Sequence, residues 1–472
     1  MDALRNPLRQ TFDLQKAACL ATPEVPWAQR ADRLQRLASL VDANAAKFAE
    51  AISRDFGHRS AHETDLLEVF PSLSGIQYAL SHGKRWMRGE RRATGLWFLP
   101  ARSRVTPQPL GVAGIIVPWN YPLYLAIGPL VAALAAGNRA MLKLSEFTPA
   151  FGALFAELCA KAFAQDEMAV FNGDATMAAA FSKLPFDHLL FTGSTSVGRH
   201  VMHAAADNLT PVTLELGGKS PAIVAPGYSV EHAARRILLG KCLNAGQTCI
   251  APDYVLVPAG TEHAFISAAR AAVAKMYPQI LTTPDYSSIV SARHYERITG
   301  YLEEAKAQGA KVENLAAHAE SPDPASRRIP PIVLTHVKDG MRVMQDEIFG
   351  PLLPLVPYRG IDEAIAYVNA RPRPLALYLF DDDGDRIDSL LARTMAGGVT
   401  INDTLLHIAQ ESLPFGGVGP SGMGQYHGYE GFLAFSKMKP VFRQSRLNGV
   451  SFFNPPYGPR TARMIAMLKR WA

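Results

Sequence analysis

The chain has 472 residues, 48% of them hydrophobic, and a formal charge of +6 from 48 basic and 42 acidic side chains. That length allows two or three domains with a sizeable core. The near balance of charge, with no Lys/Arg block interleaved with aromatics, excludes a nucleic-acid footprint.

In chain order, residues 28–56 place Leu34, Leu37, Leu40, Val41, Phe48 and Ile52 at helical spacing, which predicts one amphipathic opening helix. The amino-terminal residues lack an apolar signal core. Four cysteines, at 19, 159, 242 and 249, are too few for a disulfide framework. Both points favour a reducing, cytoplasmic setting. Residues 94–110 do not fit the later alternation and read as an excursion, with a hairpin as its simplest form. From Val112 to Val117 the chain reads as a buried strand, from Leu123 to Ala136 as an Ala-rich helix stopped by Gly137-Asn138, and from Ala140 to Leu144 as a second strand. The uncharged stretch Asn120–Asn138 contains Pro122 and Pro129 between two strands, so it reads as a buried helix and not as a membrane span. Further strands are expected near 187–191, 222–224 and 253–257, with helices between them. This alternation predicts an α/β fold with a parallel sheet covered on both faces. Residues 436–455 read as extended and lead to a Pro-rich turn. With 94–110 they suggest a small third unit that supports self-association. The last segment, Arg460–Trp471, reads as a basic amphipathic helix that packs on its own or a partner subunit, a weak membrane contact being the alternative.

Four local patterns carry chemistry. Cys249 follows Asn244-Ala245-Gly246-Gln247-Thr248, a polar turn with a glycine. A thiolate at such a junction can attack a carbonyl carbon, whereas a lone cysteine elsewhere is a small core residue; Cys242 fits that second description. No His/Cys cluster of ligand spacing surrounds either residue, so no metal is expected. Glu215 sits between Leu214 and Leu216 ahead of Gly217-Gly218-Lys219. Buried there, its pKa would rise and suit a general base; an ion pair with Lys219 is the equal alternative. Asn120, in Pro118-Trp119-Asn120-Tyr121-Pro122, follows the first strand, where ligands of open α/β sheets bind. Its amide can donate to an oxyanion or cap the next helix. Phe191-Thr192-Gly193-Ser194 through Gly198 runs from strand through a small-residue turn into a helix, a diphosphate site or an ordinary capped turn. Lys143 and Glu146, after another strand, add a cation and a carboxylate within reach of a nucleotide ribose.

Together with Glu347-Ile348-Phe349-Gly350-Pro351, Asn402-Asp403 and Pro414-Phe415-Gly416-Gly417-Val418-Gly419, these patterns recur in an order that resembles the aldehyde dehydrogenase superfamily over essentially the whole chain. The resemblance implies a Rossmann-type cofactor domain (1–93 and 111–216), an α/β catalytic domain (217–435), and a small bridging or oligomerisation β unit (94–110 and 436–472). It implies Cys249 as nucleophile, Glu215 as base for thioester hydrolysis, and Asn120 with the Cys249 N–H as oxyanion hole. Lys143 and Glu146 would hold the adenosine ribose, while Gly193, Ser194 and Gly198 would hold the diphosphate. Glu347 would hold the nicotinamide ribose, with Phe349 and Trp119 beside it. Leu144 stands where many relatives have proline. Glu146 favours NAD over NADP, with NADP still open. The implied partners are a small aldehyde and a second copy of the chain, as homodimer or homotetramer, with no nucleic acid and no stable membrane insertion. The segments 402–419 and 446–460 resemble the class 3 branch, which handles aromatic and fatty aldehydes. Within it, the wording around 119–143 and 285–298 is most similar to bacterial coniferyl-aldehyde dehydrogenases. The expected substrate is therefore a phenylpropenal, with medium-chain aliphatic aldehydes as competitor.

Overall fold

The computed structural model describes residues 2–318, 320–449 and 454–471. Strands β1 (Glu90–Arg92) and β2 (Arg102–Pro109) pair antiparallel. Next come β3 (Val112–Ile116), β4 (Arg139–Lys143), β5 (Met168–Phe171), β6 (His188–Thr192) and β7 (Val212–Glu215), all parallel. A second sheet follows from β8 (Pro221–Val224), β9 (Tyr254–Pro258), β10 (Lys311–Asn314), β11 (Ile332–Thr335), β12 (Leu352–Tyr358), β13 (Ala376–Phe380) and β14 (Gly398–Ile401). Its order is β10-β11-β12-β9-β8-β13-β14, parallel except at β10. The chain then returns to the first sheet with β15 (Gly422–Met423), antiparallel to β7, and finally pairs β16 (Ser436–Arg443) with β2.

Why these segments are strands is clear from their burial. All five residues of β3, of β4 and of β13 are buried, as expected for parallel strands covered on both faces. The order of the first sheet, β15-β7-β6-β3-β4-β5, reverses direction between β3 and β6. Such a switch point opens a crevice at the carboxyl ends of the two strands. Pro118–Asn120 and Gly193–Ser194 emerge there. The helix Tyr124–Ala136 is apolar on every face because it is buried between neighbours. Gly137 ends it at φ 94°, and Asn138 then bonds Gly111 N, Ala133 O and Phe435 O at 2.8, 3.2 and 2.8 Å.

The opening helix is two helices, Trp27–Ala43 and Ala45–Phe56. Its apolar stripe is continuous and buried, but Asn44 leaves helical geometry and turns its amide back to Leu40 O at 2.9 Å. Such local side-chain bonding competes with the helix ladder. The 94–110 excursion contains a short turn, Leu96–Phe98, and one strand of the three-stranded sheet β1-β2-β16. β1 lies just before that excursion, and β15 falls inside 217–435 yet completes the first sheet. Leu96, Trp97, Phe98, Leu99 and Phe442 are exposed on or beside the three-stranded sheet. Of the expected extended run 436–455, the strand covers 436–443, and residues 450–453 lie outside the described residues. The final helix is Pro459–Trp471. Among the described residues, no helix is long and apolar enough to cross a membrane.

Candidate active site

One cavity of about 980 Å³ runs between the two large sheets and reaches the switch point. Cys249, Glu215, Asn120, Trp119, Gly193, Ser194, Glu347 and Phe349 all line it. Segments far apart in sequence therefore converge on one space.

Cys249 sits at its wall, half-buried, after a turn in which Asn244, Ala245 and Gly246 all take left-handed φ of 52°, 52° and 76°. Two non-glycine residues in that region cost of order 1–3 kcal/mol each. The surroundings hold them: Asn244 Nδ2 donates to Asn120 O at 3.0 Å and to Gln247 O at 3.2 Å. Gly246 cannot carry a side chain, because a Cβ there would overlap the Gly350 carbonyl. Burial pushes the Cys249 thiol up, and the charges of Glu347 and Glu215 push it further; the N–H groups of Cys249 and Ile250 oppose them. The N–H groups of Cys249 and Ile250 thus lie beside the sulfur.

Glu215 ends β7 and is buried, with neither carboxylate oxygen hydrogen-bonded among the described residues. Burial alone raises it well above the usual carboxylate range. The pairing with Lys219 does not form. Lys219 Nζ instead donates to Asp253 Oδ2 at 2.7 Å, Val343 O at 2.9 Å and Asp346 O at 3.1 Å. Asn120 is buried and donates its amide to Gln247 O at 3.2 Å, which brings it to the Cys249 loop and not to the cap of the following helix. A sulfur, an amide donor and an unpaired carboxyl in one apolar space can add to a carbonyl carbon, hold its oxygen, and accept a proton from water.

The other end of the cavity has the features of an anion and sugar site. Ser194 caps the helix Thr195–Ala206 at the switch point, leaving the helix N-terminus facing the cavity. Glu347 packs against the backbone of Gly217 and Gly218; a Cβ on Gly217 would overlap its carboxylate. Burial, with Asp253 adding, pushes Glu347 up to about 8, against the Gly218 N–H, Lys219 and Arg297. One of its oxygens has no protein partner among the described residues. Phe349, at φ 49°, sets its ring 5.4 Å from that of Trp119. An orphaned carboxylate oxygen and a helix N-terminus either side of this space suit a nucleotide cofactor. Lys143, Glu146 and Gly198 stand apart from the cavity wall. Lys143 Nζ donates to Leu144 O at 2.7 Å and lies 3.8 Å from Glu146, just past β4. Gly198 lies inside its helix against Leu216.

Sequence reasoning did not single out His294, Arg297 or Tyr426, which also line the cavity. His294 meets Trp119 edge to face at 4.9 Å; Arg297 reaches the carbonyls of Glu347 and Phe349, each at 3.4 Å. Tyr426 buries its hydroxyl with no partner among the described residues. No local pattern marks them; an arginine and a histidine one helical turn apart on Ala292–Ala307 was the available signal. Asn402-Asp403 proves to be a brace: Asn402 bonds both backbone groups of Asp381, and Asp403 pairs with Arg236 at 2.6 Å.

Comparison with known proteins agrees with this geometry. The model of the "Aldehyde dehydrogenase family" matches residues 8–441. A Pseudomonas aeruginosa protein named "Probable coniferyl aldehyde dehydrogenase" is 53% identical over 98% of this chain and 96% of its own. The solved "Substrate bound state of Staphylococcus Aureus AldH" superposes with a TM-score of 0.91 at 37% identity, covering 98% of this chain and 99% of that one. PnpE in complex with nicotinamide adenine dinucleotide superposes at 0.83 with 26% identity, over 93% and 90% of the two chains. The fold and the family match run through nearly every residue, and the chain belongs to the aldehyde dehydrogenase family, oxidoreductases that act on aldehydes.

Proposed function

We propose that this protein oxidises a coniferaldehyde-like aromatic aldehyde to its carboxylic acid, with NAD as cofactor and a thioester on Cys249. The observation that carries the reading is the buried, unpaired Glu215 carboxyl sharing one cavity with Cys249 and Asn120. Cys249 gives its proton to water, and its sulfur adds to the aldehyde carbon as the C=O bond opens onto the oxygen. The Asn120 amide and the Cys249 N–H hold the oxygen of the adduct; losing one such donor typically costs about 10²–10³ in turnover. NAD, when bound, supplies the two-electron acceptor that turns the adduct into a thioester. Glu215 then takes a proton from the water that hydrolyses the thioester, a contribution of roughly 10²–10⁴.

Ser194, Gly193 and the helix containing Gly198 would hold the diphosphate, Lys143 and Glu146 the adenosine ribose, and Glu347 the nicotinamide ribose, with Phe349 and Trp119 beside it. A carboxylate at Glu146 disfavours an added 2′-phosphate, which is why NAD is preferred to NADP here. The aromatic substrate is supported by the relative's name and by the aromatic and aliphatic wall, which includes Tyr121, Tyr124, Phe415 and Tyr426. We assign 1–93 and 111–216 to cofactor binding, 217–435 to catalysis, and 94–110 with 436–472 to self-association as a cytoplasmic homodimer or homotetramer. The exposed apolar residues beside β2 support that last role.

The test is NAD and NADP reduction with coniferaldehyde, cinnamaldehyde, benzaldehyde, hexanal and decanal. Highest catalytic efficiency with coniferaldehyde and NAD is expected. Preference for decanal would keep the chemistry and replace the substrate, and silence with every aldehyde would remove the assignment.

A further inference from the structure

Two loops carry the groups assigned to the chemistry, and they are tied to each other. Besides the Asn244–Asn120 and Asn120–Gln247 bonds, the hydroxyls of Tyr121 and Thr248 meet at 2.7 Å. Both loops also hang on a third segment, of which only Leu67 lines the cavity. There the short helix Ala61–Thr64 widens into a π-helical turn, Asp65–Val69, before the helix Phe70–Trp86. Such widened turns recur at functional sites.

Glu63 reaches the nucleophile's loop. Its carboxylate accepts from Asn244 N at 3.2 Å and from Ser287 Oγ at 2.8 Å. Glu68 reaches the Asn120 loop, accepting from Leu123 N at 2.7 Å and Tyr124 N at 3.2 Å. Its other oxygen receives Arg59 at 2.6 Å. The same guanidinium donates to Asn120 O at 3.2 Å and lies over the Tyr121 ring at 4.9 Å. The Arg59 and Glu68 side chains are fully buried, and Glu63 nearly so. In a buried, low-dielectric setting such hydrogen bonds are stronger than in water. Three of these groups therefore grip the main chain on either side of the reacting centre.

We propose that Arg59, Glu63 and Glu68 are positioning residues that set the separation between the Asn120 amide and the Cys249 sulfur. The proposal rests on the reading of Cys249 as nucleophile and Asn120 as oxyanion donor. None of the three lines the cavity, so each acts through the backbone it holds. A misplacement of about 1 Å in such a pair costs about 10²-fold in rate.

The test compares Glu68→Ala, Glu63→Ala and Glu68→Gln in the full-length enzyme, using the best aldehyde of the panel above. The expected result is a fall in kcat of about 10²-fold for each alanine variant, with the KM for NAD little changed and part of the loss recovered by Glu68→Gln. A merely structural role is separated by the double variant. If Glu68 acts through Asn120, then adding Glu68→Ala to Asn120→Ala costs little more than Asn120→Ala alone. Wild-type kcat in a folded Glu68→Ala enzyme, or losses from the two substitutions that multiply, would overturn the proposal. If Glu68→Ala does not fold, Glu68→Gln and Glu63→Gln carry the same comparison. Full turnover in Asn120→Ala or Cys249→Ala would overturn the underlying reading and the proposal with it. Loss in those two variants, with Glu68→Ala unaffected, would remove the positioning role alone.

Discussion

Lys219 gives its ammonium to Asp253 at 2.7 Å and leaves Glu215, just upstream, without a cation. A paired Glu215 would stay ionised but become a weaker base; without that pairing, burial raises it, the direction the proposed general base requires. Asp253 also faces the buried Lys241 at 3.5 Å and accepts from Ile348 N. Asp253→Asn therefore strips two buried ammonium groups of their counter-charge. Removing one partner of a buried pair costs about 3–5 kcal/mol. Urea unfolding of the variant against the parent should show a loss of that size, with the midpoint shifted and the slope preserved.

Glu215→Gln separates the two halves of the reaction. In the proposed mechanism addition and oxidation need Cys249 and Asn120, whereas hydrolysis needs Glu215 as base. The variant should release NADH in a burst of one equivalent per subunit and then turn over about 10²–10⁴ more slowly. Mass spectrometry of the intact protein should find the acyl group on the chain. A variant that keeps steady turnover would remove Glu215 from the base role.

Because Cys249 and Glu215 are both raised and both must lose a proton in the proposed mechanism, kcat/KM should climb as pH rises above neutral. Stability runs the other way. Glu347 moves from its ordinary 4.5 up to about 8 on folding, so the folded chain binds that proton more tightly than the unfolded one. Its contribution is complete below 4.5 and is lost as pH climbs through about 8. Thermal unfolding of the cofactor-free protein across that window should show a decline that Glu347→Gln flattens.

Gly217→Ala tests the sugar end of the cavity. The new methyl group would overlap the Glu347 carboxylate and drive it from its place. Overpacking of this kind costs about 1–3 kcal/mol. NAD affinity, followed by fluorescence titration, should weaken by roughly tenfold for each ~1.4 kcal/mol of that cost. Alkylation of Cys249 by iodoacetamide in the absence of cofactor should continue.

Local chemistry made much of this molecule readable from its residues. Runs such as Val112–Val117 announce buried strands, and Glu215, Cys249 and Glu347 stand close in sequence to Gly217, Gly246 and Gly350, glycines that have steric reasons to be there. What stayed hidden depends on partners remote in the chain. Whether Glu215 pairs with Lys219 turns on Asp253, 34 residues beyond that lysine. Glu63 meets Asn244 across 181 positions and Glu68 meets Leu123 across 55, distances at which periodicity carries no signal. The break at Asn44 was hidden differently: the apolar stripe passes through it unaltered, while one amide turns back on the backbone. β15, two residues long, is too short for any alternation to show.

The return of the chain to its first sheet sets a timetable for biosynthesis. Until Gly422 and Met423 emerge from the ribosome, the outer edge of β7, which holds Glu215, has no neighbour. Asn138 waits across 297 positions for the Phe435 carbonyl, and Tyr124 across 303 for His427. Contacts so distant are slow to close, and an open strand edge invites pairing with other nascent chains. A polypeptide truncated before residue 422 would keep Cys249 and Glu215 in its covalent sequence, yet lack the strand that pairs with β7 at Glu215.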